Sequence, residues 1–516
     1  MKRREHDWES RLDELPLGTG GFSMGTIQRV KERIAVEERR QGKRWIPLAA
    51  AALIAVALAT VLLRTELGDR LSASLRKDEK ENKPVISETE TTALRIGYPS
   101  GGDAFMQKYG APFTIRHPMV RFQYAEDIPQ AGSLTDYKTW LAENNVDLIQ
   151  IPLGYVGELA SEGLLADLDT LLLRDGALET SLFAPVRETI REAGAGKLYG
   201  LTDTFSTYGL YYNRELFAER GIPVPEGTLT WAETTALAAK FVGMEKNGEP
   251  VYGLGFGYRS GLARNVTMVG RSLGLGTNAP DAPRSLLGSE AWTGLWTSFL
   301  QAYRDGWIAE GGTLENGQSY AMKELYKLDP FLNGRAAMTF QSSDYGSSLA
   351  GAREQLGFDD EWGIAPAPAL DDLTRSGGQL LEIPYVLAIP SRSSKPDAAW
   401  ELLKYILSPE QSERNARTSP YALPTVRPEA SVLAGSDVQT GFYEARYDAD
   451  LTLASLERAS LPDYQALLNL AYQDGERRKH ELLDGSLTVE RFLQELDKQA
   501  EETLRQLDAA KEETSP

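Results

Sequence analysis

Few residues in this sequence could do covalent or metal chemistry, and their spacing gives them little to work with. Gly21-Phe22-Ser23-Met24-Gly25 satisfies G-x-S-x-G, the pattern that exposes a serine nucleophile on a sharp turn between a strand and a helix. Here it sits in a polar stretch without the strand, helix and α/β core that the elbow needs. The histidines, His6, His117 and His480, are far apart, which excludes a zinc site of the H-E-x-x-H type. The chain has no cysteine, so disulfides, thiolate metal sites and cysteine nucleophiles are excluded. No G-x-x-x-x-G-K-[ST] phosphate loop occurs. What remains is carboxylates, hydroxyls and aromatic rings, the means of non-covalent recognition, and the reading implies no cofactor and no metal.

The elements that position such groups follow from length and pattern. At 516 residues the chain is too long for one core. Its formal charge of −19 is unevenly placed: residues 1–64 carry 12 basic and 8 acidic side chains, leaving 43 basic and 66 acidic for the remainder. A body at −23 repels phosphate, which excludes nucleic acid and disfavours polyanionic ligands unless a local basic patch exists.

Residues 1–44 are polar and include one amphipathic helix, Met24 to Arg39. They read as a cytoplasmic tail, either solvated or docking on a cytosolic partner. Ile46 to Leu63 is an apolar run of 18 residues that would span about 27 Å as a helix, enough to cross a bilayer core. Lys31, Arg33, Arg39, Arg40, Lys43 and Arg44 precede it, which places the N-terminus inside and the body outside. Residues 45–64 are therefore read as an uncleaved transmembrane anchor; the small-x-small site Ala57-Leu58-Ala59 lies inside the apolar run rather than after it. Residues 65–92 read as a polar linker, and 93–510 as the folded body.

In the body, strand patterns at Leu94–Tyr98, Val120–Tyr124 and Val146–Ile151 alternate with helical ones at Tyr137–Glu143 and Leu153–Gly163. That alternation implies a parallel sheet with crossover helices, whose ligands gather beyond the carboxyl ends of the strands. The chain is organised around Gly196 to Trp231. An aromatic, β-prone run, Leu198 to Tyr212, leads into a short helix that Gly221 stops. Thr230 and Glu233 then form a capping box for a helix starting at Trp231. Further strands are expected at Val251–Gly257, Ala336–Phe340 and Tyr385–Ile389, helices at Glu290–Asp305, Lys323–Leu332 and Pro396–Leu407, and a largely helical region from Leu451 to Leu507. Residues 341–348, QSSDYGSS, read as a polar loop that returns the chain to its first half. Trp231, Trp292, Trp296, Trp307 and Trp400 read as core.

The order GKLYG, polar loop, LYYN, helix, GIPVP and TW over residues 196–231 resembles the family 1 extracellular solute-binding proteins, the ABC-type sugar-binding group that includes maltose-binding protein. Phe331–Phe340 (FLNGRAAMTF), Trp362–Pro368 (WGIAPAP), Ile383–Pro409 and Gly485–Leu496 resemble further stretches of the same family, in the same order. The resemblance covers most of residues 93–507. It implies an α/β fold of the two-lobe, type II periplasmic-binding kind. Each lobe is a sheet flanked by helices, the ligand cleft lies between them, and the crossings fall near 200–212 and 341–390. It also implies an extracellular protein that captures a mono- or oligosaccharide for the permease of an ABC importer and does no chemistry. Many Gram-positive members hang from a lipidated cysteine, which this chain lacks. The alternative is a sensor that signals through residues 1–44.

Sugar recognition needs flat rings to stack on a pyranose face and polar groups to satisfy its hydroxyls, all facing one cleft. By the resemblance, the cleft-lining positions hold Tyr98, Ser100 and Asp103; Asp203, Ser206 and Tyr208; Ser343, Asp344 and Tyr345; and Gln379 and Tyr385, with Trp362 near a strand exit. The last helical region, with Tyr464 and Tyr472, is where the family can add another aromatic. A carbohydrate-active enzyme would need a paired acid and nucleophile, and Asp203 and Asp344 are the pair on offer.

Overall fold

The computed structural model describes residues 85–129, 133–279, 284–309, 311–312, 319–418, 423–427 and 438–514. The expected tail, the anchor and all of the linker up to residue 84 lie outside the described residues. Among the described residues no helix is long and apolar enough to cross a membrane. The linker boundary needs one correction. Ile86 is buried in the first hydrophobic core, so the body takes hold of the chain several residues before Ala93.

Two sheets organise the body. The first has the strand order β10-β3-β1-β2, built from β1 (Thr92–Gly97), β2 (Val120–Tyr124), β3 (Leu148–Pro152) and β10 (Tyr385–Ala388). β2, β1 and β3 run parallel, as the strand–helix alternation requires, and β10 returns antiparallel to β3. β2 shows why: Val120, Phe122 and Tyr124 face the core while Arg121 and Gln123 face water. The second sheet has the order β6-β7-β8-β5-β9. Its members are β5 (Tyr208–Asn213), β6 (Met244–Lys246), β7 (Glu249–Gly255), β8 (Ala336–Ser342) and β9 (Trp362–Pro366). This sheet is mixed: β7 and β8 are parallel, and β5 is antiparallel to both of its neighbours. A short ribbon pairs β4 (Thr204–Phe205) with β11 (Leu423–Pro424).

The organising stretch folds as its residues dictate. Asn213 caps the helix Arg214–Arg220 by accepting from the Leu216 amide at 3.0 Å, and Gly221 ends it at φ 67°. Thr230 and Glu233 close the capping box in both directions, at 3.1 and 2.8 Å. In the second lobe, α1 (Leu262–Ser272) packs on α2 (Glu290–Arg304) so closely that a methyl group on Gly270 would lie 2.2 Å from the Trp292 ring.

The chain does not return to the first lobe at residues 341–348. β8 runs on to Ser342, and α3 (Tyr345–Leu356) follows at once, still in the second lobe, before β9 joins β5. The polar composition of QSSDYGSS belongs to a strand end and a helix start rather than to a crossing. Tyr345 ties that start down: its ring is buried and its hydroxyl donates to Asp329 at 2.8 Å. The return comes between Pro366 of β9 and Tyr385 of β10, inside the wider expected interval. A third connection is helical. α4 (Ala449–Ser460) packs Leu453 and Leu456 on the first lobe, while its Arg458 donates to the Gly274 carbonyl of the second at 2.7 Å. α5 (Pro462–Arg477) then carries Tyr464 and Leu467 into the second core.

The buried side chains form two clusters. Trp400, Phe105 and Phe113 lie in the first, which also takes in Tyr211, Phe331 and Tyr345 from the second lobe; Trp231, Trp292, Trp296 and Phe299 lie in the second, with Trp307 half-buried against it. α6 (Val489–Thr514) closes the second lobe by burying Phe492, Leu493, Leu496, Ala500 and Leu504, a helical stripe in spacing.

Candidate functional site

The sequence brings three connections together between the lobes, and Gln379 knots them. Its amide nitrogen donates to Thr207 Oγ1 at 2.8 Å and to the Tyr208 carbonyl at 3.1 Å, both on the first crossing. Its amide oxygen accepts from the Ala367 amide at 2.8 Å, at the start of the second. Its backbone pairs with Arg446 and Asp448, which lead into α4. Gly378 permits that approach, since it holds φ 113° and a Cβ there would meet the Arg446 carbonyl at 3.0 Å. Thr207 Oγ1 also donates to the Leu380 carbonyl at 2.9 Å, and Ser206 pairs antiparallel with Glu382. The crossings are therefore two laced strands beside a helix, the arrangement from which two lobes can hinge.

A cavity of about 260 Å³ opens against this hinge. Leu153 lines it from the first lobe, Tyr208 and Arg271 from the second, Leu380 to Pro384 from the second crossing, and Thr452, Ser455 and Leu456 from α4. One wall is apolar, and Glu382 supplies a half-buried acid. Its carboxylate accepts from Ser206 Oγ at 3.3 Å and from the Tyr208 hydroxyl. Burial pushes the Glu382 carboxyl above the usual carboxylate range, against the pull of Arg271. Burial and the nearby Glu382 raise the Tyr208 phenol in turn. The Tyr208 ring is stacked on Phe340 at 5.3 Å, so one of its faces is taken by the protein.

A second cavity of about 290 Å³ lies at the ends of β7 and β8 in the second lobe, lined among others by Phe256, Tyr258, Arg259, Arg264, Asp329 and Asp344. Asp329 is fully buried on its wall. It accepts from Tyr345 Oη at 2.8 Å and from the amides of Phe331 at 2.9 Å and Leu332 at 3.3 Å, yet burial still raises its carboxyl to about 6.

Of the residues singled out from the sequence, Ser206 and Tyr208 line the first cavity, and Asp344 and Tyr345 the second. Asp344 is exposed and accepts from Ser342 Oγ. Tyr345 contributes a buried edge rather than a free face. The others line neither cavity. Tyr98 is buried edge-to-face against Phe105 and Tyr109. Asp203 is buried in the first lobe. It accepts from Tyr109 Oη at 2.8 Å and Asn415 Nδ2 at 3.0 Å, with Lys108 Nζ at 3.1 Å. Asp103 is exposed on the short helix after β1, Trp362 leans on Tyr211 at 5.8 Å, and Tyr385 starts β10. Tyr464 is buried in the second core and Tyr472 is partly exposed. Glu382 and Thr452 carry no signal in the sequence, and the spacing of Arg264 and Arg271 reads there only as a solvated helix face. Only the lacing of the crossings and the placement of α1 and α4 bring them to the cavities.

A model of the bacterial extracellular solute-binding proteins matches residues 98–413. No curated protein sequence matches the chain. Solved structures share the fold. A family 1 extracellular solute-binding protein from Alicyclobacillus acidocaldarius aligns with a TM-score of 0.54 at 16% identity, over 81% of this chain and 99% of that one. A sugar transporter from Rhizobium etli in an open conformation gives 0.53 at 18%, over 80% and 99%. The sugar-binding protein MalE from Xanthomonas citri gives 0.52 at 18%, over 82% and 100%.

Proposed function

The chain belongs to the bacterial extracellular solute-binding proteins, and from that premise we propose that it captures a sugar between its lobes on the outer face of the cell membrane and passes it to the permease of an ABC importer. It binds its ligand and does not transform it. The observation that carries the reading is the cavity of about 260 Å³ at the hinge, which takes its walls from the first lobe, the second lobe and both laced crossings. A ligand seated there touches every part that must move when the lobes close. Its differential affinity for the closed state is then what drives closure. Ser206, Tyr208 and Glu382 meet hydroxyls at the floor. The apolar wall of Leu153, Leu380 and Leu456 covers the ring's CH face. Asp203 is engaged by three partners in the first lobe, which leaves it no part as a glycosidic acid or nucleophile. The anchor read from residues 45–64 would hold the body beside the permease.

The test is a thermal-shift screen of the full chain against mono- and oligosaccharides. A ligand at about 100 times its dissociation constant stabilises the native state by about 2.7 kcal/mol, a readable rise in Tm. No shift with any sugar, against a clear one with another solute class, would discard the sugar assignment.

A further inference from the structure

The acidic composition of the body speaks against anionic ligands unless a basic patch lies at the site, and the structure has one. α1 places Arg264, Met268 and Arg271 at i, i+4 and i+7, one face of a helix. That face lines both cavities: Arg264 and Met268 the second, Arg271 the first. Arg259, just before α1, lines the second as well. Among the described residues, the guanidinium groups of Arg259, Arg264 and Arg271 make no hydrogen bond and no ion pair. Two of them lie over aromatic rings instead, Arg259 over Tyr258 at 5.5 Å and Arg264 over Tyr472 at 5.9 Å, a cation–π contact that uses none of their N–H donors.

Each of the acids around them already accepts a hydrogen bond. Asp329 accepts from Tyr345 and two backbone amides, Glu382 from Ser206 and Tyr208, and Asp344 from Ser342. The unbonded charged groups at both cavities are thus cations, in a body whose formal charge past residue 64 is −23. Unpaired arginines gathered on one helix face fit a ligand that brings its own carboxylate, because the guanidinium fork matches that group in a bidentate manner.

We propose that the ligand is an acidic sugar, an oligosaccharide whose uronic-acid carboxylate is held by the arginine face of α1. This rests on the sugar-binding reading above. It assigns Arg264 and Arg271 as the residues that select acidic from neutral rings, with Arg259 as a further contact at the outer end. The two cavities lie along the same helix.

The test is isothermal titration of the full chain with galacturonate dimers and trimers, the matched neutral galactose oligomers, and a sulfated galactose oligomer. The uronates should bind at least about tenfold more tightly than the neutral sugars, and lose affinity as salt is raised. Arg264→Ala and Arg271→Ala should each weaken uronate binding by about tenfold or more, a clearly larger factor than either costs neutral-sugar binding. Lys in place of either arginine should recover only part of the loss. Neutral oligomers that bind as well as uronates would overturn the proposal while leaving the sugar-binding reading in place. Equal losses on both ligand classes in the alanine variants would do the same. Tighter binding of the sulfated oligomer would replace carboxylate by sulfate. Silence from every sugar would remove the sugar-binding reading and this proposal together.

Discussion

Asp329 offers the sharpest test of the electrostatics of the second lobe. Its carboxyl is fully buried, and its pKa rises from 3.8 to about 6. Burial is the larger cause, because taking a carboxylate from water disfavours its charged form; the three hydrogen bonds from Tyr345, Phe331 and Leu332 only moderate the rise. The folded state therefore holds the proton more tightly than the unfolded state does. Linkage then fixes the sign: the contribution is fully present below about pH 4 and is lost as pH rises to about 6 and beyond. A shift of this size corresponds to about 3 kcal/mol. Asp329→Asn keeps a carbonyl acceptor for the two amides and removes the titration. The assay is Tm for both proteins at steps from pH 4 to 7, taken as the difference between them, so that the other acidic groups cancel. The wild type should lose ground to the variant by about 3 kcal/mol across that window, which amounts to a few degrees in Tm. A difference flat within about 0.5 kcal/mol would show that Asp329 is well solvated or fully compensated by its donors, and the account of its burial would fail.

Two further outcomes follow from the geometry. Gln379→Leu removes three side-chain hydrogen bonds and strands the part-buried Ala367 amide and Tyr208 carbonyl, so chemical denaturation should show a loss of about 2–3 kcal/mol. Sugar affinity should fall with it, because the crossings lose their common tie; a loss below about 1 kcal/mol would mean that the lacing does not depend on this amide. Thr230→Ala opens the capping box at the helix that begins with Trp231 and should cost about 1 kcal/mol by the same measurement, with sugar binding unchanged.

The fold was legible because its signals are local. The first three strands of the body, the Thr230 cap, the Gly221 stop and the core tryptophans each follow from a few neighbouring residues, and the family resemblance supplied the order in which lobes are built from them. The return at residues 341–348 was misplaced for a physical reason. Polar residues in QSSDYGSS satisfy a strand end and a helix start as readily as an open loop. The ring of Tyr345, with its bond to buried Asp329, decides between them, and that bond joins residues 16 positions apart.

The site was less legible because its groups converge only after three separate connections have been laced. Ser206 and Tyr208, which line the first cavity, sit on the crossing that the sequence marks. Glu382 is not so marked: the run Leu380 to Pro384 reads as the approach to an ordinary strand, and only its antiparallel pairing with Ser206 turns the carboxylate toward the hinge. The arginines of α1 raise the same difficulty in sharper form. Their i, i+4, i+7 spacing is visible in the sequence, but an exposed basic stripe on a helix is commonly a solvated face. What changes its meaning is packing. Gly270 lets α1 sink against Trp292, and the opposite side of the same helix then carries Arg264 and Arg271 to the two cavities. The placement of these arginines at the cavities depends on a glycine that lies away from them. A larger residue at Gly270 should therefore weaken ligand binding through the position of α1, with every arginine still in place.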